Sequence, residues 1–143
     1  YAPEYHDPAF MKLAEECCVA LCGRKKVVFD YNGWSTGSSD FGDVTCVMPG
    51  VQINAGGAVG TLHGIDFQIT DPNRMCVNAA KVQLFLVDAL LSNDAVAAKE
   101  IIANYKPQYP SIKAYLEAID ALTLDKDAVK YDEKGNAIVD FQN

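Results

Sequence analysis

Two histidines and five cysteines are the candidates in this chain for metal, acid–base or nucleophilic chemistry. His63 stands in Gly56-Gly57-Ala58-Val59-Gly60-Thr61-Leu62-His63-Gly64. The glycines leave its imidazole unobstructed and let the backbone approach a ligand closely. A loop histidine so placed suits a metal ligand or a general acid/base, and from spacing alone a structural role is equally open. His6, beside Asp7 and Pro8, reads as an exposed residue ahead of a helix. A polar cluster runs from Ser35 to Asp43. Ser38, Ser39 and Asp40 could cap a helical turn. Equally, Asp40 and Asp43 could line a site with His63. A catalytic zinc takes three protein ligands, so one histidine with carboxylates falls short, and chemistry built on His63 needs ligands from elsewhere.

Other chemistries are excluded by spacing. A P-loop needs Gly-Lys-Ser/Thr where this chain has Gly60-Thr61-Leu62, and G-x-G-x-x-G and G-x-S-x-G are absent. Cys17, Cys18, Cys22, Cys46 and Cys76 form no C-x-x-C pair and no disulfide framework. Cys18 and Cys22, four apart on one helix, could share a metal. Buried reduced thiols are the preferred reading, and with them an intracellular, cytoplasmic setting. A net charge of −7 argues against a nucleic-acid surface. Arg24-Lys25-Lys26, the one basic run, reads as a solvated helix end. No uninterrupted run reaches the roughly 18 apolar residues of a membrane span, so no membrane partner is expected. The chain opens on Tyr1 rather than Met, and no signal-peptide pattern follows. It is therefore expected to be a piece cut for expression, a proteolytic product or one part of a longer protein.

The elements that must position these residues follow from local rules. With 143 residues, half of them hydrophobic, the chain is one domain long and can form a core. Asp7-Pro8 predicts a helix start. Phe10, Ala14, Cys17, Cys18 and Leu21 give its apolar face, and Gly23 its stop. Val27–Tyr31 reads as a strand. From Asn32 to Asp71 lies a loop-rich stretch with eight of the ten glycines. It holds candidate strands at Val44–Met48 and Val51–Asn54. So long an irregular segment usually binds something. Asp71-Pro72 predicts a second helix to about Leu91, apolar on nearly every side from Val82 on, which suggests a missing partner segment. Ser92-Asn93-Asp94 breaks it, and a third helix runs to about Tyr105. Ser111 caps a fourth, with Ile112, Tyr115, Leu116, Ile119 and Leu122 on one face. Ala128–Asp132 and Ala137–Phe141 read as a β-hairpin around Glu133-Lys134-Gly135-Asn136.

Three stretches together resemble a known family: Trp34-Ser35-Thr36-Gly37-Ser38-Ser39-Asp40-Phe41-Gly42-Asp43-Val44 with Met48-Pro49, the Gly56–Gly64 run, and Asp71-Pro72. They are similar to the C-terminal segment of metal-dependent amidohydrolases. That group includes aminobenzoyl-glutamate hydrolases, hippurate hydrolases and N-acyl-amino-acid amidohydrolases, and is related to carboxypeptidase G. The similarity covers roughly residues 3 to 122. It implies an α/β fold, part of a zinc-peptidase-like catalytic domain with helices packed on a mixed sheet. Residues 1–122 would be the C-terminal segment of that domain and 123–143 a tail. It further implies that His63 is the last metal ligand for one or two ions of zinc or manganese. Ser39, Asp40, Asp43, Gly56, Gly57 and Gly60 would border the substrate cleft or support the ligand. The water-activating glutamate and the other ligands would lie upstream, with a lid domain through which relatives dimerise. The substrate would be an N-acyl amino acid or small peptide. Close relatives often carry histidine where this chain has Gln52. The alternative is a non-catalytic binding or assembly module of the same fold.

Overall fold

Asp7 opens the first helix as its sequence predicts. In the computed structural model its Oδ1 accepts the Phe10 N–H at 2.9 Å, and α1 runs Pro8–Cys22 to a stop at Gly23. The structure describes residues 1–33, 37, 39–123 and 129–139. The chain divides into two compact units, Tyr1–Tyr109 and Pro110–Asn143.

In the first unit, α1 is followed by a single 3₁₀ turn at Arg24–Lys26. Arg24 pairs with Glu15, whose carboxylate also accepts the Tyr31 hydroxyl at 2.6 Å. The basic run is thus a solvated helix end, as its composition suggests. A short helix α2 spans Phe41–Thr45, and a two-stranded antiparallel ladder joins β1 (Ala58–Val59) to β2 (Gln68–Ile69). Asp71 opens the next helical stretch, its Oδ1 accepting the Arg74 N–H at 2.9 Å. A π turn at Asn73–Val77 leads into α3, Asn78–Asn104. The expected break lies inside α3. Ser92 has ψ 157°, and Asn93, Asp94 and Ala95 are left-handed.

The core is the contact of α1 with α3. Ala14, Cys17 and Leu86 are buried together, with Phe10, Leu13, Phe29, Val51, Ile53, Ala89 and Leu90 packed around them. A second buried node is Thr45 and Cys46, both fully inaccessible. The Tyr105 hydroxyl donates to the Thr45 carbonyl at 2.7 Å and the Gln108 N–H to the Cys46 carbonyl at 3.1 Å. Those bonds hold the end of α3 against α2.

Three expected strands are not formed. Val44–Met48 lies at the end of α2 and in the turn after it, because the Gly42 carbonyl accepts both the Cys46 N–H and the Thr45 hydroxyl. Burial of Thr45 and Cys46 there overrides the strand preference of β-branched residues. Val27–Tyr31 and Val51–Asn54 have no ladder partner among the described residues. The expected mixed sheet is accordingly absent from the described residues, and α1 and α3 pack on each other. Small sheets beside dominant helices make the chain mixed α/β in the loose sense.

The outer face of α3 is open. Leu84, Phe85, Val87 and Leu91 are 71%, 47%, 51% and 63% exposed. By length and composition alone, Asn73–Asn104 is enough to cross a membrane, with a mean hydropathy of 1.4 in its most apolar window. Counting uninterrupted apolar residues misses this. Lys81, Gln83 and Asp88 interrupt the run without lowering the average far.

The second unit begins with α4, Ile112–Asp120, capped by the Ser111 hydroxyl, which accepts the Ala114 N–H at 3.1 Å. Its hairpin pairs β3 (Val129–Tyr131) with β4 (Ala137–Val139). Asp132 organises the turn, accepting the N–H groups of Lys134 and Asn136 and the Asn136 amide at 2.8–2.9 Å. The outer ends expected for this hairpin, Ala128 and Asp140–Phe141, lie outside the described residues.

Candidate functional site

His63 lies in the loop between β1 and β2. The Gly64 N–H donates to the Thr61 carbonyl at 2.7 Å, closing a turn in which His63 is the third residue with φ 64°. Histidine is among the side chains enriched in this left-handed region. Gly60 enters the loop at φ 97°, and a Cβ there would lie 2.3 Å from the Asp66 carbonyl oxygen. Only glycine fits that crossing. The Asp66 carboxylate accepts the Thr61 N–H at 3.1 Å and the Thr61 hydroxyl at 3.3 Å. This carboxylate ties the two sides of the His63 turn together. Sequence reasoning passed over Asp66, although Thr61 and Asp66 flank the histidine at a spacing suited to a loop clamp. The His63 ring is exposed, and so are its apolar neighbours: Leu62 is 73% and Ile65 fully exposed.

Gly56 and Gly57 lead into this hairpin and lie against the turn that precedes α3. The Gly57 carbonyl accepts the N–H groups of Thr70 and Asp71, each at 2.9 Å. Gly56 lies against Arg74, whose Nε would be 3.3 Å from a Cβ at that position. These glycines therefore close the base of the hairpin against the turn at Asp71–Met75 that precedes α3.

The Asp40 loop serves a different set of contacts. The Ser39 hydroxyl donates to Glu4 Oε1 at 2.6 Å and accepts the Phe41 N–H at 3.2 Å, capping α2. Ser38 lies outside the described residues. Asp43 accepts the Ala2 N–H at 2.8 Å, and the Tyr5 N–H donates to Thr45 Oγ1 at 3.0 Å. Asp40 is exposed. Glu4 is the hub of this face. Besides Ser39 it meets His6 Nε2 at 3.3 Å, and the Gln52 amide, oriented to donate, reaches both its oxygens at 3.1 and 3.2 Å. His6 is thus half-buried and paired, with the Phe41 ring 6.2 Å away edge-on. Gln52 joins the N-terminal segment to the Val51–Asn54 segment, a role no sequence signal announced.

Beside this hub opens a cavity of about 760 Å³, whose wall includes His6, Cys18, Gln52, Gly56, Asp71 and Arg74. His63, Asp40 and Asp43 are not part of its wall. Burial pushes the Cys18 thiol up, which keeps it protonated at neutral pH. Among the described residues, no three His, Cys, Asp or Glu side chains gather to hold a metal ion. His63 itself stands apart from other such side chains in its exposed turn, with Asp66 engaged on Thr61. Comparison with protein-family models, with curated protein sequences and with solved structures finds no match to this chain.

Proposed function

We propose that this chain is part of the catalytic domain of a metal-dependent amidohydrolase. The enzyme would cleave the amide bond of N-acyl amino acids or of small peptides such as aminobenzoyl-glutamate. The observation that carries the reading is the presentation of His63: an exposed ring on a turn whose backbone is clamped by Asp66 and hinged at Gly60. A ligand histidine must be reachable and must also be held, since a loosely placed donor loses affinity. The exposed Leu62 and Ile65 beside it fit a surface that another stretch of polypeptide covers.

In this reading His63 offers one imidazole nitrogen to a zinc or manganese ion, and the remaining donors and the proton-accepting glutamate come from polypeptide outside this chain. The bound ion would polarise the scissile carbonyl and lower the pKa of its water. Gly56 and Gly57 close the base of the histidine hairpin against the turn ahead of α3. Ser39, Asp40 and Asp43 would border the substrate cleft of the assembled enzyme. Of these, Ser39 and Asp43 also hold the N-terminal segment.

The test is His63→Ala in the intact protein. Metal content measured by mass spectrometry falls, and hydrolysis of N-acyl amino acids is lost while the circular dichroism spectrum is retained. Unchanged metal content with unchanged turnover removes His63 from the mechanism. Unchanged metal content in a protein that hydrolyses no N-acyl amino acid supports a binding module instead.

A further inference from the structure

The turn after Phe29 places a free side-chain amide next to a weakly held peptide nitrogen. Of the eight asparagines in the sequence, only Asn32 is followed by glycine. Asn32 and Gly33 are both exposed. The Asn32 main-chain N–H is held by Asp30 Oδ1 at 3.1 Å, while its side-chain amide makes no hydrogen bond among the described residues. The Gly33 N–H reaches the Asp30 carbonyl at 3.4 Å, longer than an ordinary N–H···O bond and so easily given up.

Other asparagines are tied down. Asn104 donates its amide to the Glu100 carbonyl at 2.8 Å, and Asn136 donates its own to Asp132 at 2.8 Å. The N–H that follows Asn73, that of Arg74, is bound to Asp71 Oδ1 at 2.9 Å. A peptide nitrogen attacks the side-chain carbonyl of the asparagine before it only when the two come into bonding range. Glycine at the following position hinders that approach least, having no Cβ and the widest backbone freedom. Asn32-Gly33 meets all of these conditions together.

We propose that Asn32 is a self-modification site, at which the chain deamidates through a cyclic imide. The Gly33 nitrogen gives up its proton to solvent and bonds to Asn32 Cγ. The Cγ–Nδ2 bond breaks, and Nδ2 leaves as ammonia with a proton taken from solvent. Water then opens the ring at one of its two carbonyls. Breaking the bond from Cγ to the Gly33 nitrogen gives aspartate on an ordinary main chain. Breaking the bond from the Asn32 main-chain carbonyl carbon to that nitrogen gives isoaspartate, with the main chain running through Cβ and Cγ. Water is the one co-reactant, and nothing is oxidised or reduced. Either product adds a negative charge beside Asp30, in a chain whose net charge is already −7. Isoaspartate also inserts a methylene into the main chain within Asp30–Gly33. That remodels the turn carrying Tyr31, whose hydroxyl is bonded to Glu15 at 2.6 Å. The inference uses no property of His63 and is independent of the metal reading.

The experiment incubates the purified 143-residue chain at body temperature and mildly alkaline pH, in water enriched in heavy oxygen. Peptide mapping by mass spectrometry follows each asparagine, and electron-transfer fragmentation tells isoaspartate from aspartate. Asn32 converts first, one heavy oxygen enters at that residue, and isoaspartate is among the products. Gly33→Ala slows the conversion by about tenfold or more. The added Cβ would lie 2.8 Å from Asp30 Oδ2, the end of an exposed side chain that can swing away, so the fold survives the change. Asn32→Gln, one methylene longer, leaves no conversion at that position. Three results overturn the proposal. One is an unchanged Asn32 over a period in which the free peptide Asp30-Tyr31-Asn32-Gly33-Trp34 converts. The second is conversion to aspartate with no isoaspartate. The third is a Gly33→Ala variant that converts as fast as the parent chain.

Discussion

One added methyl group at Gly42 tests whether the N-terminal segment is part of the folded unit. A Cβ at Gly42 would lie 1.8 Å from the Ala2 carbonyl oxygen, and that oxygen belongs to backbone, so Gly42→Ala must push the segment away. Three contacts go with it: Ala2 N–H to Asp43, Tyr5 N–H to Thr45 Oγ1, and Ser39 to Glu4. At about 1 kcal/mol each, discounted for the exposed Ser39–Glu4 bond, the loss is about 2–3 kcal/mol. Gly42 lies inside α2, where alanine is favoured over glycine by about 1 kcal/mol. The net expectation is a destabilisation of about 1–2 kcal/mol, read as a shift of the urea midpoint. The same substitution in a chain lacking residues 1–5, which keeps the Asp7 cap, should reverse sign and stabilise by up to about 1 kcal/mol, because only the helix preference remains. An equal effect in both backgrounds would show that the segment does not pack on Gly42, and the reasoning would fail.

Two further outcomes follow from the protonation of named groups. Burial pushes the thiols of Cys17, Cys18 and Cys46 up, whereas Cys76 is exposed at the π turn. Maleimide at neutral pH should therefore label Cys76 first and reach Cys46 only on unfolding, which peptide mapping by mass spectrometry reads directly; early labelling of Cys46 would contradict its burial. In the hairpin, the Asn136 side chain and backbone N–H groups hold the Asp132 carboxyl below the usual aspartate range. A depressed folded pKa contributes stability that is present above the unfolded value, near 4, and lost as pH falls through the folded value. The β3–β4 amide signals should weaken as pH drops below about 4, and Asp132→Asn should show a smaller acid dependence.

Local chemistry was legible in the residues. A helix closes its hydrogen bonds within four residues, so Asp7-Pro8, Gly23, Asp71-Pro72, the Ser92-Asn93-Asp94 break and Ser111 mark starts, breaks and stops without reference to anything distant. The hairpin around Gly135 is equally local. The glycine-bordered position of His63 was readable too, since turns declare themselves by composition. A strand depends on a partner far along the chain or on another chain, so Val27–Tyr31 and Val51–Asn54 carried the right pattern and have no ladder among the described residues. The use of Asp43 and Ser39 to hold the N-terminal segment, the Glu4 hub with Gln52, the Asp66 clamp and the close approach at Gly42 were decided by tertiary structure alone. Each joins residues through space, and the order of residues in a chain does not encode which of its distant carboxylates and amides will meet.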